Sequence, residues 1–189
     1  IAVVTLQENN HIVVIKLSSG RVIADFATSQ DGSKPRLNIE LKYTWPDPTL
    51  TEKVVNIIRQ NEFSSDCVVS SLNFSAVTEI KQSFPELITG FIVFKAAGDL
   101  SRMEADFLSI SAAKATERLV RQLHRNGRAV HVWTVNDFNN VISMVERGVD
   151  NIITDYPQDV SRFIEEWRAL SGRERLVLML RNMLGGPET

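Results

Sequence analysis

Apolar residues fall at every second position of Leu37-Asn38-Ile39-Glu40-Leu41-Lys42, with Asn38, Glu40 and Lys42 between them. A period of two places the two sets on opposite faces of a strand. The turn-forming run Tyr43-Thr44-Trp45-Pro46-Asp47-Pro48 follows. Helical spacing comes next, with apolar positions at Val54, Val55, Ile57 and Ile58 and Thr51 as the expected cap. Strand, turn and helix in this order make a βα unit, whose parallel strands are covered by helices.

The same order recurs. Strands are predicted over residues 67–70, 88–94, 106–110, 129–135 and 151–154, and helices over 75–84, 112–125 and 138–147. Pro85 closes the first of these helices, and Gly127 and Gly148 suit the position after the other two. Repeated β-then-α order implies right-handed βαβ units and a parallel sheet. Glu40 and Lys42 then stand on the inner face, at the C-terminal end of a strand, where α/β barrels place their chemistry. The plainer reading is an edge strand with a water-washed polar face.

The front of the chain differs. Residues 2–6 and 11–17 read as two strands joined by Gln7-Glu8-Asn9-Asn10. Residues 18–36, rich in Ser, Gly, Asp and Lys, contain one further strand candidate at 21–26. The expected organisation is a single domain in three parts: a strand-and-loop front (1–36), the βα units (37–160) and a helical tail (161–189). In the tail, a helix over 161–169 carries Phe163, Ile164 and Trp167. Ser171 then opens a second one with Leu176, Val177, Leu180, Met183 and Leu184 on one face and Arg173, Arg175 and Arg181 around it. Such a helix docks on its own domain, on a partner, or on an anionic membrane surface, which makes 171–184 the stretch for membrane contact.

With 189 residues, 43% of them hydrophobic and 23% charged, the chain has the composition of a globular domain. A net charge of −2 gives no field that would recruit nucleic acid. The one cysteine, Cys67, rules out a disulfide within the chain and lies in an apolar run, as a small core residue does. Residue 1 is Ile rather than Met, which suggests a piece of something longer.

Four segments in order, Leu37-Asn38-Ile39-Glu40-Leu41-Lys42, Val69-Ser70-Ser71-Leu72-Asn73, Val132-Trp133-Thr134-Val135-Asn136 and Gly148–Pro157, resemble the glycerophosphodiester phosphodiesterases, which are TIM barrels. Residues 97–102 and 170–176 are similar to the bacterial branch that often carries an N-terminal membrane domain. The resemblance covers residues 37–185. It implies a bacterial protein, cytoplasmic or membrane-associated through such a domain. It also implies hydrolysis of glycerophosphodiesters to an alcohol and glycerol 3-phosphate. Carboxylates would hold Mg²⁺ or Ca²⁺, and two histidines would act as general acid and base.

By that resemblance Glu40 is a metal ligand, Lys42 faces the substrate phosphate, Trp133 packs on the glycerol or alcohol part, and Ser71 (or its neighbour Ser70) donates a hydrogen bond. The front departs from the family. The chain has no His-Arg-Gly, and His124-Arg125-Asn126-Gly127 is a helix end rather than that motif. Aligning residues 3–7 with the family's second strand puts Val3 and Thr5 where Glu and Asp belong. Aligning 12–17 with the strand that carries His-Asp puts Lys16 and Leu17 in their place. The expectation is thus a barrel without its first βα unit and with none of the catalytic histidines. One carboxylate remains, and it would hold Mg²⁺ or Ca²⁺ poorly. Such a chain turns over poorly. The alternative is a non-catalytic relative that binds a phosphorylated ligand or a protein partner. The open edge is expected to be covered by the front hairpin, by residues 18–36, or by a second copy in a homo-oligomer.

Overall fold

In a computed structural model of the chain the described residues are 2–6, 12–16, 21–22, 37–42, 49–94, 100, 103–175 and 177. In chain order they form β1 (Ala2–Leu6), β2 (Ile12–Lys16), β3 (Arg21–Val22), β4 (Leu37–Leu41), α1 (Leu50–Gln60), β5 (Cys67–Ser71), α2 (Phe74–Ser83) and β6 (Ile88–Val93). There follow β7 (Phe107–Ser111), α3 (Glu117–Arg125), β8 (Ala129–Trp133), α4 (Phe138–Glu146), β9 (Asn151–Ile152) and α5 (Pro157–Ala169). One sheet holds all nine strands in the order β3-β2-β1-β4-β5-β6-β7-β8-β9. From β4 to β9 every pairing is parallel. These are the six parallel strands of the expected α/β architecture, a TIM-barrel type sheet with helices on its outer side.

Alternation sorts the side chains. On β4 and β5, Ile39, Leu41, Cys67 and Val69 pack with Val54, Val55 and Ile58 of α1. Farther along, Leu108, Ile110, Val130 and Val132 meet Val120 and Leu123 of α3 and Val141 of α4. Each such fully buried side chain contributes about 1.5–3 kcal/mol. Cys67 belongs to this layer, and burial pushes its thiol up to about 11, with Asp66 adding to the shift. It is a core residue, not a nucleophile.

Local chemistry sets the helix ends. Asn73 accepts from Ser75 N at 3.0 Å and opens α2, Thr116 accepts from Leu119 N at 3.3 Å and opens α3, and Asp137 accepts from Asn139 N at 2.9 Å and opens α4. Gly127 and Gly148, after α3 and α4, have φ of +69° and +75°, where a Cβ would be strained. Two expectations shift. Thr51 is buried inside α1, whose N-cap is Thr49. Residues 112–125 are not one helix: Ala112–Lys114 is a 3-10 turn, and the α-helix starts only after Thr116. In the tail, Ser171 and Glu174 form a reciprocal capping box, with Ser171 N to Glu174 Oε2 at 2.8 Å and Glu174 N to Ser171 Oγ at 3.4 Å. Most of the predicted 171–184 helix lies outside the described residues, as do His11, nearly all of 18–36, and all of 97–102 but Leu100. No described helix is long and apolar enough to cross a membrane.

The front hairpin is present, and β1 pairs antiparallel with both β2 and β4 (Val3 opposite Glu40, Thr5 opposite Asn38). It therefore covers the β4 edge, one of the three covers expected. The direction of β1 corrects the alignment of residues 3–7 with a barrel strand, because a barrel strand would run parallel to β4. At the other end of the sheet, β9 is outermost among the described residues.

Candidate functional site at the C-terminal end of the parallel strands

The inner faces of the parallel strands enclose a cavity of about 310 Å³. Asn38 and Glu40 of β4, Ser70 of β5, Ile92 of β6, Ser109 of β7 and Trp133 of β8 line it, with Leu72, Phe94, Thr134 and Ile153 from just beyond strand ends. Strands as far apart as β4 and β8 share one cavity, so the sheet curls. The register explains the set: Glu40 lies opposite Ser70, Ser70 opposite Gly90, and Ser109 opposite His131.

Below the cavity lining, the inner face of the sheet is aromatic. Phe107 stacks on His131 with ring centroids 4.0 Å apart. Gly90 makes room for this ring, since a Cβ there would sit 2.1 Å from Phe107 Cε2 and Cζ. His131 is only 9% exposed. Burial drives its pKa down to about 4, against the opposing pull of Asp150, so the imidazole is neutral at pH 7. His131 Nδ1, Trp133 Nε1 and Asn151 Nδ2 are buried without a hydrogen-bond partner among the described residues. All three belong to β8 and β9.

The expected site residues divide. Glu40 and Trp133 line the cavity. Lys42 follows Glu40 by two residues, just past the end of β4; it is exposed and outside the lining. Ser71 is a correction. It pairs with Leu41 in the register that sets Ser70 against Glu40, and so faces the helices. Its Oγ donates to Leu41 O at 2.8 Å and accepts from Asn73 N at 3.0 Å, so both its roles are used inside the fold. Ser70 is the serine that faces the cavity, donating to Asn38 Oδ1 at 3.2 Å. Leu72, Ile92 and Phe94 were not legible as lining, because apolar residues near strand ends read as core.

Other motif residues hold the mouth together. Asn136 Nδ2 donates to Asp155 Oδ2 at 2.6 Å. Its Oδ1 accepts from Thr154 Oγ1 at 3.0 Å and from Asp155 N at 2.9 Å. The loops after β8 and β9 are thus tied together. The Asp155 carboxylate takes the Asn136 amide rather than capping α5, whose N-cap, Tyr156, has no side-chain cap bond. His124, at the end of α3, pairs with Asp150 Oδ2 at 2.7 Å on the side away from the mouth.

For Mg²⁺ or Ca²⁺ the described residues do not suffice. No group of three His, Cys, Asp or Glu side chains is placed to hold a metal among them. Glu40 is the one carboxylate in the lining, and Asn38 Oδ1 already accepts from Ser70. Hard cations take six or more oxygens, or keep waters beside two carboxylates.

A curled parallel sheet with a carboxylate and polar groups at the C-terminal strand ends defines a barrel-type α/β protein of the kind that works on small ligands. The family model "Glycerophosphoryl diester phosphodiesterase family" matches residues 35–159, and the chain belongs to that family. YhdW of Bacillus subtilis is 29% identical over 128 residues, 64% of this chain and 53% of that protein. A glycerophosphodiester phosphodiesterase of Caldanaerobacter subterraneus is 27% identical over 123 residues, 63% and 51%. The chain spans about half the length of these curated relatives. Among solved structures, a glycerophosphodiester phosphodiesterase from Parabacteroides distasonis shares the fold, with a TM-score of 0.64 and 22% identity over 71% of this chain and 59% of that one. An Oleispira antarctica phosphodiesterase, solved with the product sn-glycerol-3-phosphate, has a TM-score of 0.56 and 25% identity over 67% and 53%.

Proposed function

We propose that the cavity is the glycerophosphodiester-binding site of a phosphodiesterase-type domain, and that the 189 residues by themselves hold such a ligand without turning it over efficiently. The observation that carries the reading is Glu40: the carboxylate of the family-like Leu37–Leu41 strand lies in the wall of a cavity at the C-terminal ends of the parallel strands. The Oleispira relative's bound glycerol 3-phosphate supports a phosphorylated small molecule as ligand.

In this reading Ser70 and Asn38 offer polar contacts on one wall. Lys42, exposed above Glu40, meets the phosphate as a mobile point charge. Trp133 packs on the organic part. Glu40 would offer one oxygen to a metal of the kind the family uses, too few to hold it alone. The lack of a His-Arg-Gly in these 189 residues supports slow turnover, because each positioned acid–base group is worth about 10²–10⁴ in rate.

Two measurements test this. Glycerol 3-phosphate titrated into the chain should perturb Trp133 fluorescence, with Trp133→Phe as the control. Release of glycerol 3-phosphate from glycerophosphocholine, with added Mg²⁺ or Ca²⁺, should be slow. Absence of any glycerol 3-phosphate binding would remove the ligand reading. Robust metal-dependent turnover abolished by Glu40→Ala would show that the 189 residues are catalytically complete.

A further inference from the structure

The cavity wall is divided by chemistry. Asn38 and Glu40 of β4 and Ser70 of β5 give it a polar part; Leu72 just past β5, and Ile92, Phe94, Trp133 and Ile153 from β6 onward, give it apolar surface, with Ser109 and Thr134 among them. Ile92 and Ile153 are half-buried, as inner-face residues of a curled sheet are. Leu72 and Phe94 are different: they are 49% and 64% exposed, yet line the same cavity. Ser71 pairs with Phe91, so Leu72 stands level with Ile92, and Phe94 lies two residues farther out. Phe94 and Trp133 hold their rings within 5° of parallel, centroids 6.4 Å apart.

Together these side chains form an apolar shelf running from the cavity to solvent. An isolated exposed Leu needs no explanation. A Leu, a Phe and a Trp at the mouth of a cavity that also carries a carboxylate and an amide make an amphiphilic cleft, and exposed apolar groupings of this kind mark ligand-binding grooves.

We propose that the shelf of Leu72, Phe94 and Trp133 is a subsite for the aliphatic chain of an amphiphilic phosphate ester, whose phosphate end lies on the polar part of the cavity wall. The ligand class is then a single-chain phospholipid or alkyl phosphate rather than an ester of a small water-soluble alcohol. A small polar alcohol would leave Leu72 and Phe94 in water, whereas an alkyl chain covers them and gains roughly in proportion to the apolar area removed from water. The inference rests on the phosphate-ligand reading of the cavity.

The test is equilibrium binding to the full 189-residue chain, with n-octyl phosphate kept below its micelle-forming concentration, glycerol 3-phosphate and glycerophosphocholine as probes. Octyl phosphate should bind tenfold or more tightly than either, with affinity rising from butyl through hexyl to octyl phosphate as successive methylenes reach the shelf. In the Leu72→Ser/Phe94→Ser variant the preference for octyl phosphate over glycerol 3-phosphate should fall towards unity. The alkyl series on the unaltered chain keeps the test valid if that variant folds poorly. If glycerol 3-phosphate binds but octyl phosphate binds no better, or if glycerophosphocholine binds best, the shelf proposal is overturned and the cavity reading stands. An octyl preference that survives the double substitution also overturns it, by placing the chain elsewhere. If none of the probes binds, the cavity reading falls and takes the shelf with it.

Discussion

The two ends of the parallel sheet use the same residue types for opposite purposes. At the N-terminal end, carboxylates are engaged by the fold. Asp106, just before β7, accepts from Lys81 Nζ at 2.6 Å, Thr89 N at 2.8 Å and Thr89 Oγ1 at 3.2 Å. Asp150, just before β9, bonds to His124 Nε2 at 2.7 Å and accepts from Val130 N at 2.7 Å. At the C-terminal end, Glu40 has no hydrogen bond or ion pair among the described residues, and Leu72 and Phe94 keep much of their surface in water. A carboxylate whose lone pairs are filled by its own fold has little left for a ligand. One whose lone pairs are open contributes little to folding and is available for chemistry. The base stitches strands together, and Glu40 in the cavity wall is held in reserve.

The sharpest way to break this contrast is at the aromatic layer between the ends. Gly90→Ala should cost about 3 kcal/mol, because the added methyl overlaps the Phe107 ring and the stack on His131 cannot shift within a packed core. The midpoint of urea denaturation reports it, and a loss below about 1 kcal/mol would mean the layer is looser than described.

Next in size is a pH effect from the same stack. His131 is held at about 4 in the fold against an ordinary 6.5, so between these values the unfolded chain binds the extra proton. The stability contributed by the neutral, buried ring is complete above pH 6.5 and is lost as pH falls towards 4. The loss is up to about 3 kcal/mol at 1.36 kcal/mol per unit. His131→Phe should flatten that limb of the stability–pH curve.

Smaller again is Asp106→Asn. Burial raises the carboxyl's pKa, but the hydrogen bonds from Lys81 and Thr89 outweigh it and hold it below the usual range. Its contribution is present above that range and disappears on acidification through the lowered value. Partial exposure limits the cost of the substitution at neutral pH to about 1 kcal/mol. The smallest effect is expected at the mouth: Glu40→Gln should change thermal stability by less than about 0.5 kcal/mol. A loss above 1 kcal/mol would group Glu40 with the engaged carboxylates of the base and erase the contrast.

The six parallel strands were legible because their outward residues form apolar runs bounded by caps and glycines, and those signals are local. The choice between Ser70 and Ser71 was not. Both serines are buried, and only the register Glu40–Ser70, a long-range property, says which faces the cavity. The helix expected from residue 112 failed because Ala112 and Ala113 have high helix propensity, while the capping Thr116 decides where the α-helix begins. Glu40 and Trp133 were found as lining residues because a polar or aromatic residue at a strand's end stands out against its neighbours. Leu72 and Phe94 escaped because an apolar side chain tells core from cavity only once the sheet has curled. The cover over the β4 edge was anticipated, but strand direction cannot be read from alternation, and so the likeness of residues 3–7 to a barrel strand did not survive the antiparallel pairing.

The Asn136 amide bears on motion. Its three bonds to Thr154 and Asp155 tie the loop that follows Trp133 to the loop that leads into α5. Neither loop can open by itself without breaking all three, so the two share one opening equilibrium, and amide protons on both should exchange with solvent at matched rates. A ligand resting on Trp133 would slow that exchange as far away as Asp155 and the first turn of α5, a distance signal that reads occupancy without any chemistry taking place.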